Sequence, residues 1–125
     1  MTRSLILVGV GSSVGGIIRY LTQLFVQKHY PSSFPFGTLS VNIIGCFLIG
    51  IIYALAERGN ILSPSMRLLL ATGFCGGYTT FSSFAYENIS LLRDGEFFYT
   101  SIYILLSLAI GLLAVYVGIL FIKLI

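Results

Sequence analysis

The stretch "TGFCGGYTTFSSF", Thr72 to Phe84, decides how this chain folds. It lies inside a long apolar run, yet it holds two adjacent glycines, a row of Ser and Thr hydroxyls and three phenylalanines. Gly76, Gly77 and the β-branched Thr79 and Thr80 make a poor helix interior, and each backbone group left unpaired at membrane depth is costly. The expectation is a span that unwinds at the paired glycines. Unwound backbone is tolerated in a membrane where it lines a cavity or meets an ion: carbonyls ending one half-helix suit a cation, and N–H groups opening the next suit an anion. A second reading keeps the helix continuous, with Gly76 and Gly77 serving only close packing.

The surroundings of this stretch are equally apolar. The chain has 125 residues, 57% of them hydrophobic and 9% charged, far from the composition of soluble domains. Four runs, 4–27, 35–57, 66–92 and 97–122, are each near or above the ~20 residues a helix needs to cross hydrocarbon. The expected fold is therefore all-α, a single integral membrane domain over 1–125 with four transmembrane helices and the third broken mid-membrane. The start, Arg3 followed by "SLILVGVG", has no small-residue cleavage site after it and is read as the first span rather than a signal peptide. Cys46 and Cys75 fall inside spans, where a thiol most often packs as a small residue. A net charge of +3 without a basic cluster points to no nucleic acid.

Charge leaves the orientation open. One side would collect Arg3, Arg58, Arg67 and Lys123 and the other Lys28 and Arg93, so either the chain inserts both ways or Arg58 and Arg67 weakly set one orientation. Four helices are also too few to wall a polar pathway, so an oligomer is expected. Gly11, Gly15 and Arg19 in the first span, with Ser12 and Gly16, and Cys46, Gly50 and Ala54 in the second, set small side chains on one helix face. Dimerisation is their expected use.

Candidate site residues cluster around the break. If a second half-helix starts near Thr80, then Thr80, Ser83 and Glu87 share one face while Phe81 and Phe84 lie on the next. Rings presented edge-on would attract a small anion, and face-on a cation; ordinary packing is the alternative. Asn42, several residues inside the second span, either glues helices together or donates its amide to an anion. Thr100, Tyr103, Ser107 and Gly111 form a narrow polar stripe on the fourth span. It either lines a path or bonds a neighbour. Glu87 is the carboxylate nearest membrane depth, though it falls near the end of its span, whereas a proton-coupled carrier wants one deeper. Arg19 could be a buried charge partner or a gate, with snorkelling to the interface as the default reading. His29 lies in a loop, and no nucleophile with a base, metal-ligand cluster or phosphate loop is visible, so no enzyme is expected.

Together the "RY" of Arg19-Tyr20, "GTLSVNIIGCFLIG" and "TGFCGGYTTFSSF" resemble the Fluc/CrcB family of fluoride channels over nearly the whole chain. The resemblance implies a multi-pass protein of the bacterial plasma or inner membrane, embedded in lipid. It implies an antiparallel, dual-topology homodimer of oppositely inserted copies with two fluoride pathways and a central structural sodium ion. Carried over by motif position, backbone carbonyls of Gly76 and Thr79 would hold the sodium; Phe81, Phe84 and Asn42 would line the pathway; Thr80, Ser83, Glu87, Tyr103 and Ser107 would flank it; and Arg19 would stand near a vestibule. The implied activity is passive fluoride export that relieves fluoride toxicity. Two departures stand out: Ser83, where many relatives have Thr, keeps the hydroxyl, and Tyr78 replaces a frequent Leu. The rival reading is a small four-helix proton-coupled multidrug efflux transporter. A third is a structural subunit that transports nothing.

Overall fold

A computed structural model describes residues 1–125 except Asn60. Among the described residues the chain is all helix, without a strand. Helix α1 runs Thr2–His29 and ends at a segment carrying Pro31 and Pro35, which cannot extend it. Helix α2, Phe36–Glu57, starts directly after Pro35 and stops before Gly59, whose φ of +88° only glycine adopts without strain. Ser63 then caps α3, Pro64–Arg67, by accepting the Met66 N–H at 3.1 Å, with Pro64 in the first helical turn. Without interruption α3 passes into a π-helical run, Leu68–Cys75, and then into the three-residue helix α4, Gly76–Tyr78. Helix α5 covers Phe81–Arg93, and after a turn at Gly95 helix α6 covers Phe97–Lys123. Lys28, Arg93 and Lys123 stand in the last turns of α1, α5 and α6.

Helices α1, α2 and α6 are each long and apolar enough to cross a membrane. The third apolar stretch is not one long helix, because Thr79 (φ −88°, ψ 159°) and Thr80 (φ −149°, ψ 120°) are extended between α4 and α5. The unwinding expected at the paired glycines is therefore displaced: Gly76 is helical at φ −61°, ψ −37°, and Gly77 is helical too. The reason is packing. A Cβ on Gly77 would come within 2.9 Å of Ser12 Cα and 3.0 Å of Ser12 C, so this glycine lets two backbones touch while its own stays helical. The β-branched threonines after it accept extended backbone readily.

Small residues elsewhere do the same within the chain. A Cβ on Gly11 would sit 2.8 Å from Phe74 N, and one on Gly15 would sit 2.9 Å from Tyr78 N, so α1 lies against the π-helical run and α4 backbone to backbone. Gly50 of α2 faces the Val115 backbone of α6 in the same manner, and Gly118 of α6 faces the Phe47 backbone of α2. The stripes at Gly11/Gly15 and Gly50 thus join helices of one copy, which corrects their assignment to dimerisation. Close backbone approach gives dispersion contacts that lipid would otherwise take, and this drives helix association where no hydrophobic effect operates. Two apolar clusters result: Phe34, Leu39, Leu91 and Tyr103 in one, Ile52, Ala71 and Cys75 in the other. The extended threonines share a cavity with Ala71 and Cys75 of the second.

Candidate functional site

The extended pair removes hydrogen bonds that an unbroken helix would make. The Thr80 N–H would reach the Gly76 carbonyl in a continuous helix; instead it donates to Asn42 Oδ1 at 2.8 Å. Asn42 Nδ2 returns a bond to the Thr80 carbonyl at 3.1 Å. A side-chain amide here pairs with extended backbone as one strand residue pairs with another. The arrangement fixes the amide's orientation, since exchanging its O and N would set donor against donor and acceptor against acceptor. One N–H of Asn42 is left over for another acceptor.

On the far side Thr80 caps α5. Its Oγ1 accepts the Ser83 N–H at 3.2 Å and lies 3.2 Å from Ser83 Oγ, so the Thr79 carbonyl also loses its helical donor. Thr79 itself turns back, its N–H and its hydroxyl both donating to the Cys75 carbonyl at 3.0 and 2.9 Å. The start of α5 adds the positive end of a helix dipole next to these groups.

Two cavities lie along this line. The first, about 390 Å³, is lined by Asn42, Gly76, Thr79, Thr80, Phe81, Phe84 and Ser107 among others. Ser107 Oγ is buried there without a hydrogen-bond partner among the described residues, a hydroxyl free to serve a guest. The second, about 510 Å³, is lined by Gln23, Thr38, Ser83, Glu87 and Asp94, together with the loop residues Ser32 to Pro35. Glu87 there accepts from Thr38 Oγ1 and from the Tyr103 hydroxyl, each at 2.8 Å. Gln23 Nε2 in turn donates to Thr38 Oγ1 at 3.2 Å. Tyr103 is fully buried. The Thr80–Ser83 contact bridges the two spaces, so amide, hydroxyls and carboxylate form one polar row from Asn42 to Glu87.

Rings flank this row. Phe84 lies 5.0 Å from Tyr103 at 62° between planes, an edge-to-face pair, and 5.7 Å from Phe81 at 43°. Phe81 is 77% exposed, projecting from the start of α5 at the lip of the smaller cavity. Arg19 does not snorkel: its Nε donates to the Gly77 carbonyl at 3.2 Å, across from α1 to the end of α4.

The fold thus gathers Asn42, Gly76, Thr79, Thr80, Phe81, Phe84 and Ser107 at one cavity, and Ser83, Glu87 and Tyr103 at or beside the other. Thr80, Ser83 and Glu87, expected on a single face, divide between the two, with Ser83 at the seam. Three residues lining the second cavity were missed by sequence reasoning: Thr38, Gln23 and Phe34. Thr38 had a readable signal, standing one turn before Asn42 on the same face of α2. Phe34 offered none, since only the folded chain sets its ring 5.6 Å from Tyr103.

With this geometry in view, similarity to known proteins becomes informative. A profile of the family described as "CrcB-like protein, Camphor Resistance (CrcB)" matches residues 6–119. A protein of Chlorobium phaeobacteroides (strain BS1), named fluoride-specific ion channel FluC, is 55% identical over 115 residues, 92% of this chain and 89% of its own. The proteins of the same name from Chlorobium chlorochromatii (strain CaD3) and Flavobacterium psychrophilum are 50% and 40% identical. They cover 92% and 97% of this chain and 88% and 98% of their own.

Proposed function

The chain belongs to the CrcB-like protein family, and from that premise we propose that it is a fluoride channel of the cell membrane, passing fluoride out of the cell down its gradient. The observation that carries the reading is the polar row that joins the two cavities, Asn42–Thr80–Ser83–Glu87 with Tyr103 and Thr38. Fluoride leaving water needs hydrogen-bond donors at short intervals. The spare N–H of Asn42, the hydroxyls of Thr80, Ser83 and Ser107, and the α5 dipole supply them, while the positive edges of Phe81 and Phe84 supply a dry but attractive wall. No energy coupling enters, and the chain is not an enzyme.

A proton-coupled drug exporter would need a carboxylate that trades its proton for a cation. Glu87 instead has both oxygens engaged by hydroxyl donors, and the relatives named above are fluoride channels.

The active form in this reading is an antiparallel homodimer of two oppositely inserted copies. Support comes from Phe81, which projects uncovered beside an open cavity, and from basic residues shared between the two membrane sides. A structural sodium ion fits the break: the Gly76 and Thr79 carbonyls have both lost helical donors, and hard oxygen ligands suit such a cation. Those two carbonyls would hold it, and its charge would offset their partial negative charge.

Fluoride efflux from liposomes holding the purified protein tests the function, with potassium and valinomycin setting the potential and no pH gradient. Fluoride should leave rapidly and chloride should stay. Flux of neither ion above protein-free vesicles, or flux only with a proton gradient and an organic cation, would overturn it.

A further inference from the structure

Resting on the fluoride reading for its consequence, though not for its test, the geometry points to a clamp by which α1 sets the break: Arg19, Thr22 and Tyr78 are positioning residues for the extended threonines and for Phe81 beyond them.

Helix α4 is too short to hold itself. It has three residues, and the bond that would continue it, Thr80 N–H to Gly76, is diverted to Asn42. Its last two residues are instead tied to α1. Arg19 Nε donates to the Gly77 carbonyl at 3.2 Å, and the Tyr78 hydroxyl meets Thr22 Oγ1 at 3.3 Å. The direction of the second bond follows from the first use of the Thr22 proton. Thr22 Oγ1 donates to the Ile18 carbonyl at 2.8 Å, so its oxygen is left as acceptor and Tyr78 is the donor.

Tyr78 is placed to transmit this tie. Its side chain is 3% exposed, and its ring stacks on Phe74 at 5.6 Å and 11°. Its backbone N lies against Gly15 of α1. A leucine at this position would fill space but have no donor for Thr22. The ring and hydroxyl therefore add a fixed point one residue before the chain turns extended. Arg19 adds the other by placing a guanidinium on a carbonyl that a continuous helix would have satisfied; charged donors make the stronger bonds.

The break is consequently held from two sides, by α1 upstream through Gly77 and Tyr78 and by Asn42 of α2 downstream through Thr80. Loss of the upstream hold frees Thr79 and Thr80 to swing, and Phe81 with them.

Tyr78→Phe, Thr22→Val and the double variant test this, because each single change removes the same bond and little volume. Hydrogen–deuterium exchange of the peptide spanning 76–80, in the purified dimer, should speed up roughly three- to tenfold in both singles. It should speed up no further in the double variant, and exchange in α6 should stay at the wild-type rate. In liposomes the same three proteins should lose fluoride flux by a common factor, and Arg19→Lys should keep most of the flux that Arg19→Leu loses. Unchanged exchange in both singles, or losses that multiply in the double variant, would overturn the clamp. The exchange arm reads it even if fluoride were not the ion carried.

Discussion

The two sides of the extended threonines are built in opposite ways. Upstream, the π-helical run and α4 press backbone on backbone against α1 through Gly11, Gly15 and Gly77, and a Cβ at any of these would strike main-chain atoms. Downstream, α5 makes few such contacts. Its start is held by side chains, Asn42 on the Thr80 backbone and Tyr103 against Phe84, and Phe81 stands clear of the protein. Main-chain contacts are rigid and tolerate no added atom, whereas a side-chain amide can be replaced without moving a helix. The first half of the broken span is a foundation and the second an adjustable arm.

That contrast is open to attack, and the strongest blow falls upstream. Gly77→Ala places a methyl group into the Ser12 backbone, where nothing flexible can give way. Overpacking of this kind costs about 1–3 kcal/mol. The variant should yield far less folded protein, measured as the monodisperse peak after extraction, and fluoride flux should be lost with it; normal yield would mean that α1 and α4 slide apart cheaply.

A smaller and more selective effect is expected downstream. Asn42→Leu leaves the Thr80 N–H and carbonyl without partners, which costs about 1–3 kcal/mol for a buried group. Yield should fall only modestly, while flux per folded molecule drops at least tenfold. Wild-type flux in that variant would reduce Asn42 to interhelical glue.

The smallest effect sharpens the comparison by control. Gly9 and Gly16 belong to the same helix as Gly11 and Gly15, but a Cβ on either meets nothing within 4 Å. Gly9→Ala and Gly16→Ala should leave flux unchanged and, by helix propensity, raise stability by up to about 1 kcal/mol. A loss of dimer in Gly16→Ala would show that this face of α1 meets a second copy.

How much of this could be read from sequence divides along the same line. Helices α2 and α6 follow from unbroken apolar runs bounded by proline and glycine, because length and hydropathy alone select a spanning helix. Asn42 was legible as an amide inside a span that must find a partner, but that the partner is the Thr80 backbone was not. Nor was the position of the break. Glycine signals backbone freedom and close approach with the same letter, and only Ser12, some 65 residues away along the chain, decides between them. The small-residue stripes carried the same ambiguity, since spacing shows that a backbone comes near but not whose backbone it is. Glu87 was legible as an isolated acid. Its hydroxyl partners were not, because Thr38 and Tyr103 come from two other helices.

The cations at the helix ends carry a final consequence. Lys28, Arg93 and Lys123 each close a helix where the last carbonyls carry partial negative charge. Successive spans run in alternate directions, so Lys28 and Arg93, closing the first and third spans, fall on one surface of the bilayer and Lys123, closing the fourth, on the other. At these three ends, helix polarity alone accounts for a cation. A cation placed to steady a helix end serves that helix whichever surface of the bilayer the end faces.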